Sequence, residues 1–415
     1  MVKEILVDAG PDKVRVAILE DGEPVEIFAE ETGNKSLVGN IYRGKVERTL
    51  KGMQAAFVDI GLERNAFLYV NDIVPVNFDE HLTVGKTKDI SELISPGQEI
   101  SVQITKDASE NKGARVTTRL SLPGRYLAIV RNTESVGVSK KISDEKERER
   151  LRDIARRNKP ENAGIIIRTA AEGIPEEQIV EEIEELKKLY HTLLEKEKKG
   201  NVPRLLYSEP GIIGQAVREH LTADTRRFII NNESEYERIL AFLEDTSPAL
   251  KNKIQLYSKE YDMFEFYNVE SAINEALSRK VRMKSGAYLI FDMTEALTVI
   301  DVNSGQFTGK TNLEDTAFRI NLEAAQTIAR QLRLRNLSGI IIVDFIDMHN
   351  KEHQQQVVQT LKDAVKSDKT HTVVIGMTSL GLVEITRKKI RQPLYKSFTI
   401  SCHVCNGTGF IRNSK

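Results

Sequence analysis

Two short runs constrain this chain more than any others. They are Leu297-Thr-Val-Ile-Asp-Val-Asn-Ser-Gly305 and Gly339-Ile-Ile-Ile-Val-Asp-Phe-Ile-Asp-Met348, with a helical pattern from about Leu313 to Arg335 between them. Each is rich in β-branched residues and is broken near its C-terminal end by an aspartate. A carboxylate among Val and Ile is costly to desolvate unless a capping amide, an arginine or a metal compensates it. In an open α/β sheet the carboxyl ends of neighbouring strands face one crevice. Asp301, Asn303 and Asp344 are therefore expected to converge there as hard oxygen ligands for Mg2+. A lone Asp at a strand end is more often a turn or cap residue. The pair, one in Asp-Val-Asn and one in Asp-Phe-Ile-Asp, favours a metal-dependent phosphoryl-transfer site.

At 415 residues the chain is too long for one core and suggests roughly two to four domains. No apolar run approaches the ~18 residues that a membrane span needs. The N-terminus, Met1-Val-Lys-Glu-Ile-Leu-Val-Asp-Ala, is acidic and lacks an apolar signal core, so a cytoplasmic location is expected. The net charge of −1 weighs mildly against nucleic acid as a ligand, although clustered Lys and Arg can build a positive groove on a neutral protein.

Residues 1 to about 35 read as three strands, with Asp21-Gly22 as the hairpin turn between the last two. Three strands are too few for a core, so a later segment is expected to complete their sheet. That segment offers the strand Phe228-Ile-Ile-Asn231 and a helix from Ser234, where Ser234 and Glu237 form a capping box. From Ser36 to about Leu120 the chain turns to short strands with glycine at the turns. Alternation there points Ala56, Val58, Ile60, Ala66, Leu68 and Val70 inward and Phe57 and Phe67 outward. Exposed aromatics on adjacent strands of a small barrel suit base stacking; the alternative is packing against a neighbouring domain. Lys106 and Lys112 would contact phosphate, and Pro75 to Lys88 reads as a surface loop.

Residues 121–211 hold two helical patterns and the buried strand Gly164-Ile-Ile-Ile-Arg-Thr169, which ends in a phosphate-matched guanidinium and a hydroxyl. Arg333 and Arg335 fit phosphate contact and structural ion pairing equally. His349 and His353 lie four apart without a zincin glutamate, so solvated surface is expected rather than zinc. Cys402 and Cys405 form one Cys-x-x-Cys, half of a tetrahedral thiolate site. No other thiol in the chain completes it, so a second copy is the natural donor. His403 between them is poorly placed, and the following Gly-Thr-Gly does not favour a redox pair.

The runs Thr294-Glu-Ala-Leu-Thr-Val-Ile-Asp-Val-Asn-Ser-Gly305, Asn321-Leu-Glu-Ala-Ala325, Arg330-Gln-Leu-Arg-Leu-Arg335 and Val343-Asp-Phe-Ile-Asp-Met348 resemble the catalytic core of the ribonuclease E/G family. These are bacterial endoribonucleases that cut single-stranded RNA with Mg2+, and the similarity covers nearly the whole chain. The resemblance implies a multidomain α+β and α/β fold. Its parts would be a ribonuclease-H-like subdomain (1–35 and 212–278), an inserted S1 barrel of the OB fold (36–120), a 5′-sensor region (121–211), a deoxyribonuclease-I-like catalytic subdomain (279–398) and a zinc-link (399–415). It also implies Asp301 and Asp344 as Mg2+ ligands with Asn303 orienting, and Phe57 and Phe67 as RNA-stacking rings. Arg168 and Thr169, with Gly124 and Ala128, would form a 5′-monophosphate pocket. Cys402 and Cys405 would join two protomers through a shared Zn2+. Longer members continue into a small dimerising domain beyond this motif, which leaves a zinc-linked homodimer as the expectation here. The function implied is cleavage of A/U-rich single-stranded RNA to 5′-phosphate products in ribosomal RNA processing and messenger decay. The rival class is a non-catalytic S1-domain RNA scaffold or chaperone.

Overall fold

Asp21 and Gly22 both take positive φ, 49° and 85°, the backbone that a tight hairpin needs. This turn joins the strands Lys13–Glu20 and Glu23–Glu31. The computed structural model describes residues 2–33, 36–73, 89–108, 112–131, 133–305, 313–405, 407, 409 and 411. The loop expected between residues 75 and 88 lies outside them. The chain divides into two compact units, one of residues 1–34 with 212–415 and one of residues 35–211.

In the first unit the N-terminal strands join Thr225–Ile230 and Ile254–Leu256 in one five-stranded sheet. Its central strand Lys3–Ala9 runs parallel to Thr225–Ile230 and antiparallel to Lys13–Glu20. Ile5, Leu6 and Val7 are fully buried because both faces are covered. One face packs on Ile212–His220 and Glu233–Thr246, the other on Met263–Phe266 and Val269–Leu277. The helix Glu233–Thr246 is capped by Asn232, whose side chain accepts the Glu235 N–H at 3.1 Å. The expected cap, Ser234, instead donates to Asn232. Asparagine caps as well as serine, and here it fixes the start two residues earlier.

A six-stranded sheet follows, in the order Lys280–Arg282, Tyr288–Met293, Leu297–Asn303, Gly339–Asp344, Leu382–Arg387, Thr372–Met377. Only the third and fourth strands pair in parallel, since the long helix Leu313–Leu334 carries the chain back between them. That helix and Lys351–Ala364 bury one face of the sheet around Ile300, Val302, Ile341 and Val343. Arg333 at its end is 7% exposed and forms ion pairs with Glu20 and Glu26. Arg335 lies 4.1 Å over the Phe291 ring and donates to the carbonyls of Glu275 and Ser278. Both are structural joints, which removes them from phosphate contact.

In the second unit the strands Ile41–Leu50, Ala55–Asp59, Ala66–Tyr69, Arg115–Thr117 and Glu99–Lys106 pair in sequence, and the first pairs again with the last. This closes a five-stranded barrel, and Arg204–Tyr207 adds to its first strand. The inward residues Ala56, Val58, Ala66 and Leu68 have no exposure at all. A separate four-stranded sheet, Val136–Val138, Ala163–Ile167, Leu127–Arg131 and Ser121–Pro123, packs on the helices Glu145–Asn158 and Glu176–Lys198.

His220 in the first unit is buried, and burial followed by the charges of Lys369, Lys3, Arg391 and Arg333 holds its imidazole well below its ordinary value. The folded pKa lies below the unfolded one, near 6.5, so this group's stabilisation is complete above that pH and is lost as pH falls below it. The thermal unfolding temperature is expected to fall from pH 7 to pH 5.5 more steeply in the native protein than in His220→Gln. Equal slopes would contradict this.

Candidate active site and RNA-contact surfaces

Strand alternation puts Ile300 and Val302 into the core and turns Asp301 and Asn303 to the opposite face of the six-stranded sheet. In the neighbouring strand Ile341 and Val343 are buried and Asp344 is exposed. The parallel register makes Asp301 and Asp344 direct partners, so the two carboxylates stand side by side on the sheet face opposite the one that the helices Leu313–Leu334 and Lys351–Ala364 bury. The acids therefore lie outside the apolar core, across the sheet from Ile300, Val302, Ile341 and Val343.

Asn303 donates from Nδ2 to Asp301 Oδ2 at 2.8 Å. Burial, then the charges of Asp301 and Asp347, push the Asp344 carboxyl above its ordinary pKa. A divalent cation would relieve that repulsion. Among the described residues no group of three or more His, Cys, Asp or Glu side chains forms a metal cluster. Two carboxylates fit Mg2+, which keeps several waters and takes only one or two protein carboxylates.

His349 and His353 do not share a helix face, because the helix begins at Lys351. His353 is not simply solvated either: its ring stacks on Phe318 at 4.2 Å and its Nδ1 lies 3.0 Å from Glu314 Oε1. Glu314 also accepts the N–H groups of His349 and Asn350, which secures the helix start.

On the barrel, cross-strand pairing lines up Arg48, Phe57, Phe67, Arg115 and Lys106 in one outward row. The two phenyl rings are 5.9 Å apart in an edge-to-face arrangement, and Arg48 lies 4.7 Å over Phe57. Both rings are half-buried, and Lys106 and Lys112 are exposed. Arg115 pairs with Asp72. Arg48 enters the row through a bulge between Val46 and Arg48, a shift that strict alternation does not announce.

Arg168 follows the strand Ala163–Ile167 and donates from Nη1 to the Gly124 carbonyl at 2.7 Å. Among the described residues no carboxylate pairs with it. Thr169 shares a 2.9 Å hydrogen bond with Ser139. Ala128 lies on the adjacent strand opposite Ile166. The structure thus brings Arg168, Thr169 and Gly124 together and adds Ser139 and Glu182, two residues with no motif to mark them. Cys402 and Cys405 lie in the C-terminal turn, where the backbone N–H groups of Cys405 and Val404 hold the Cys402 thiol below its ordinary pKa. Such donors favour a thiolate, the form that binds zinc.

Residues 121–390 match the Ribonuclease E/G family. Ribonuclease G of Salmonella typhimurium is 43% identical over 416 residues, covering 99% of this chain and 85% of its own length. Ribonuclease G of Escherichia coli strain K12 is 42% identical with the same two coverages. Ribonuclease E of Nostoc sp. is 37% identical over 413 residues, 99% of this chain and 59% of its own.

In metal-free protein, Asp301→Asn removes a neighbouring negative charge and is expected to lower the pKa of Asp344. A carboxyl-carbon NMR titration reads this directly, and an unmoved Asp344 would show that burial and Asp347, without Asp301, set its value.

Proposed function

Since the chain belongs to the ribonuclease E/G family and is an endoribonuclease, we propose that it is Mg2+-dependent, cuts single-stranded A/U-rich RNA and reads the 5′ end of its substrate. The observation that carries this reading is the side-by-side placement of Asp301 and Asp344 on the sheet face opposite the apolar core. These two carboxylates would hold Mg2+, which supplies charge against the developing negative phosphate and lowers the pKa of a bound water. Asn303 fixes the Asp301 rotamer by occupying Oδ2 and leaves Oδ1 for the ligand. With an enzymatic activity in hand, the paired acids have a purpose that a non-catalytic scaffold would not require.

The barrel row is read as the RNA clamp. Phe57 and Phe67 stack bases, while Arg48, Arg115, Lys106 and Lys112 meet phosphates. Arg168 and Thr169, with Gly124 and Ala128, are read as the 5′-monophosphate pocket; that no carboxylate among the described residues pairs with Arg168 supports this. The subdomain assignment follows the resemblance: residues 1–35 with 212–278 ribonuclease-H-like, 36–120 S1, 121–211 sensor, 279–398 deoxyribonuclease-I-like. In 399–415, Cys402 and Cys405 would supply half of a Zn2+ site shared with a second copy. No described helix is long and apolar enough to cross a membrane, and we place the enzyme in the cytoplasm, in RNA processing and decay.

With a short A/U-rich single-stranded RNA and Mg2+, Asp301→Asn and Asp344→Asn are each expected to lower kcat by about 10²–10³-fold. RNA affinity should stay within a factor of two or so. Retained cleavage, or binding lost in parallel, would sink the assigned roles. Phe57→Ala is expected to weaken RNA binding by ~1–3 kcal/mol with the catalytic step intact. Unaltered affinity in a filter-binding assay would return Phe57 to a packing role.

A further inference from the structure

The turn Gly124–Leu127 is gripped from both sides. On one side Arg168 donates to the Gly124 carbonyl through Nη1, and its backbone N–H donates to the Tyr126 carbonyl, each at 2.7 Å. On the other side stands Glu182, from the helix Glu176–Lys198. Its Oε1 accepts the Arg125 N–H at 2.5 Å, and its Oε2 accepts those of Tyr126 and Leu127 at 2.8 and 3.1 Å. A Cβ on Gly124 would stand 2.7 Å from the Glu182 carboxyl carbon, so a side chain there would push this acid away from the turn.

Three successive N–H groups aimed at one carboxylate form a nest, a backbone concavity that binds anions. Glu182 acts as a resident anion there. Its charge is met by the three donors, and burial also pushes its pKa up. The same turn presents Gly124 O, the one protein acceptor that the structure gives the Arg168 side chain among the described residues. The remaining guanidinium donors are left for a ligand, with the Thr169 hydroxyl on the next residue.

We propose that Glu182 is a positioning residue for recognition of the RNA 5′-monophosphate: it holds the Gly124–Leu127 turn so that Gly124 fixes the direction of the Arg168 fork. The proposal rests on the reading of Arg168 as the 5′-phosphate pocket. Without the carboxylate, three amides lose their acceptor, and the turn is left held by the Gly124 N–H to Leu127 carbonyl and Arg168 N–H to Tyr126 carbonyl bonds. Arg168 then loses its anchor while keeping its charge.

The test compares kcat/KM on one short single-stranded RNA bearing a 5′-monophosphate or a 5′-hydroxyl, for the native enzyme, Arg168→Gln, Glu182→Gln and Glu182→Asp. The expected result is a monophosphate-to-hydroxyl ratio that falls about tenfold, or to one if it starts lower, in Glu182→Gln, as for loss of a hydrogen bond to a charged group. The change should lie in KM, and Glu182→Asp, which keeps the charge, should recover part of it. A ratio that survives Glu182→Gln overturns the proposal, including the case in which both substrates slow by one common factor. If the native enzyme cuts both RNAs equally, the 5′-pocket reading itself fails and takes the role of Glu182 with it. A native preference lost in Arg168→Gln but kept in Glu182→Gln sinks Glu182 alone.

Discussion

The parallel pairing of Leu297–Asn303 with Gly339–Asp344 is the constraint on which the candidate site depends. A 22-residue helix carries the chain from one strand to the next, and the register it allows sets Asp301 opposite Asp344. Because side chains alternate, a one-residue slip of either strand would send its own acid into the apolar core and turn its buried Ile300 or Val343 outward. That cost locks the pairing. The long helix is in turn held at its far end by Arg333, between Glu20 and Glu26 of the N-terminal hairpin. Breaking such a buried ion pair from one side is strongly destabilising, so Arg333 ties the long helix to the N-terminal hairpin of this unit.

Arginine illustrates how one residue type divides between holding the fold and meeting a ligand. Arg333 and Arg387 are buried against carboxylates, Arg387 with Asp368 at 2.7 Å and both side chains 4% exposed. Arg335 is buried over an aromatic ring with backbone acceptors. Arg48 and Arg168 have no carboxylate partner among the described residues, and they lie on the barrel row and at the Gly124 turn. A guanidinium matched only by a ring or a carbonyl keeps most of its charge for a phosphate.

Much of this was legible in the sequence. The β-branched runs around Asp301 and Asp344, the helical spacing between them, and the inward–outward alternation of Ala56 to Val70 all follow from local periodicity, and local periodicity survives folding. What escaped depends on distant partners. Arg48 meets Phe57 only because a bulge shifts the register after Val46. The strand Leu382–Arg387 inserts between Gly339–Asp344 and Thr372–Met377, an order no local pattern encodes. Glu182 looks like any acidic residue on a solvated helix until the turn 55 residues upstream closes on it. The cap at Asn232 instead of Ser234 is a smaller case, in which two good capping residues compete and the strand end decides.

On the proposed function, Asp301 and Asp344 together hold one divalent cation. Mn2+ stands in for Mg2+ and is visible by electron paramagnetic resonance, so a Mn2+ titration of the native chain, Asp301→Asn and Asp344→Asn tests it without reference to activity. One Mn2+ per native chain is expected at this site, displaced by excess Mg2+ and lost in either variant. Undiminished Mn2+ binding in both variants would contradict it.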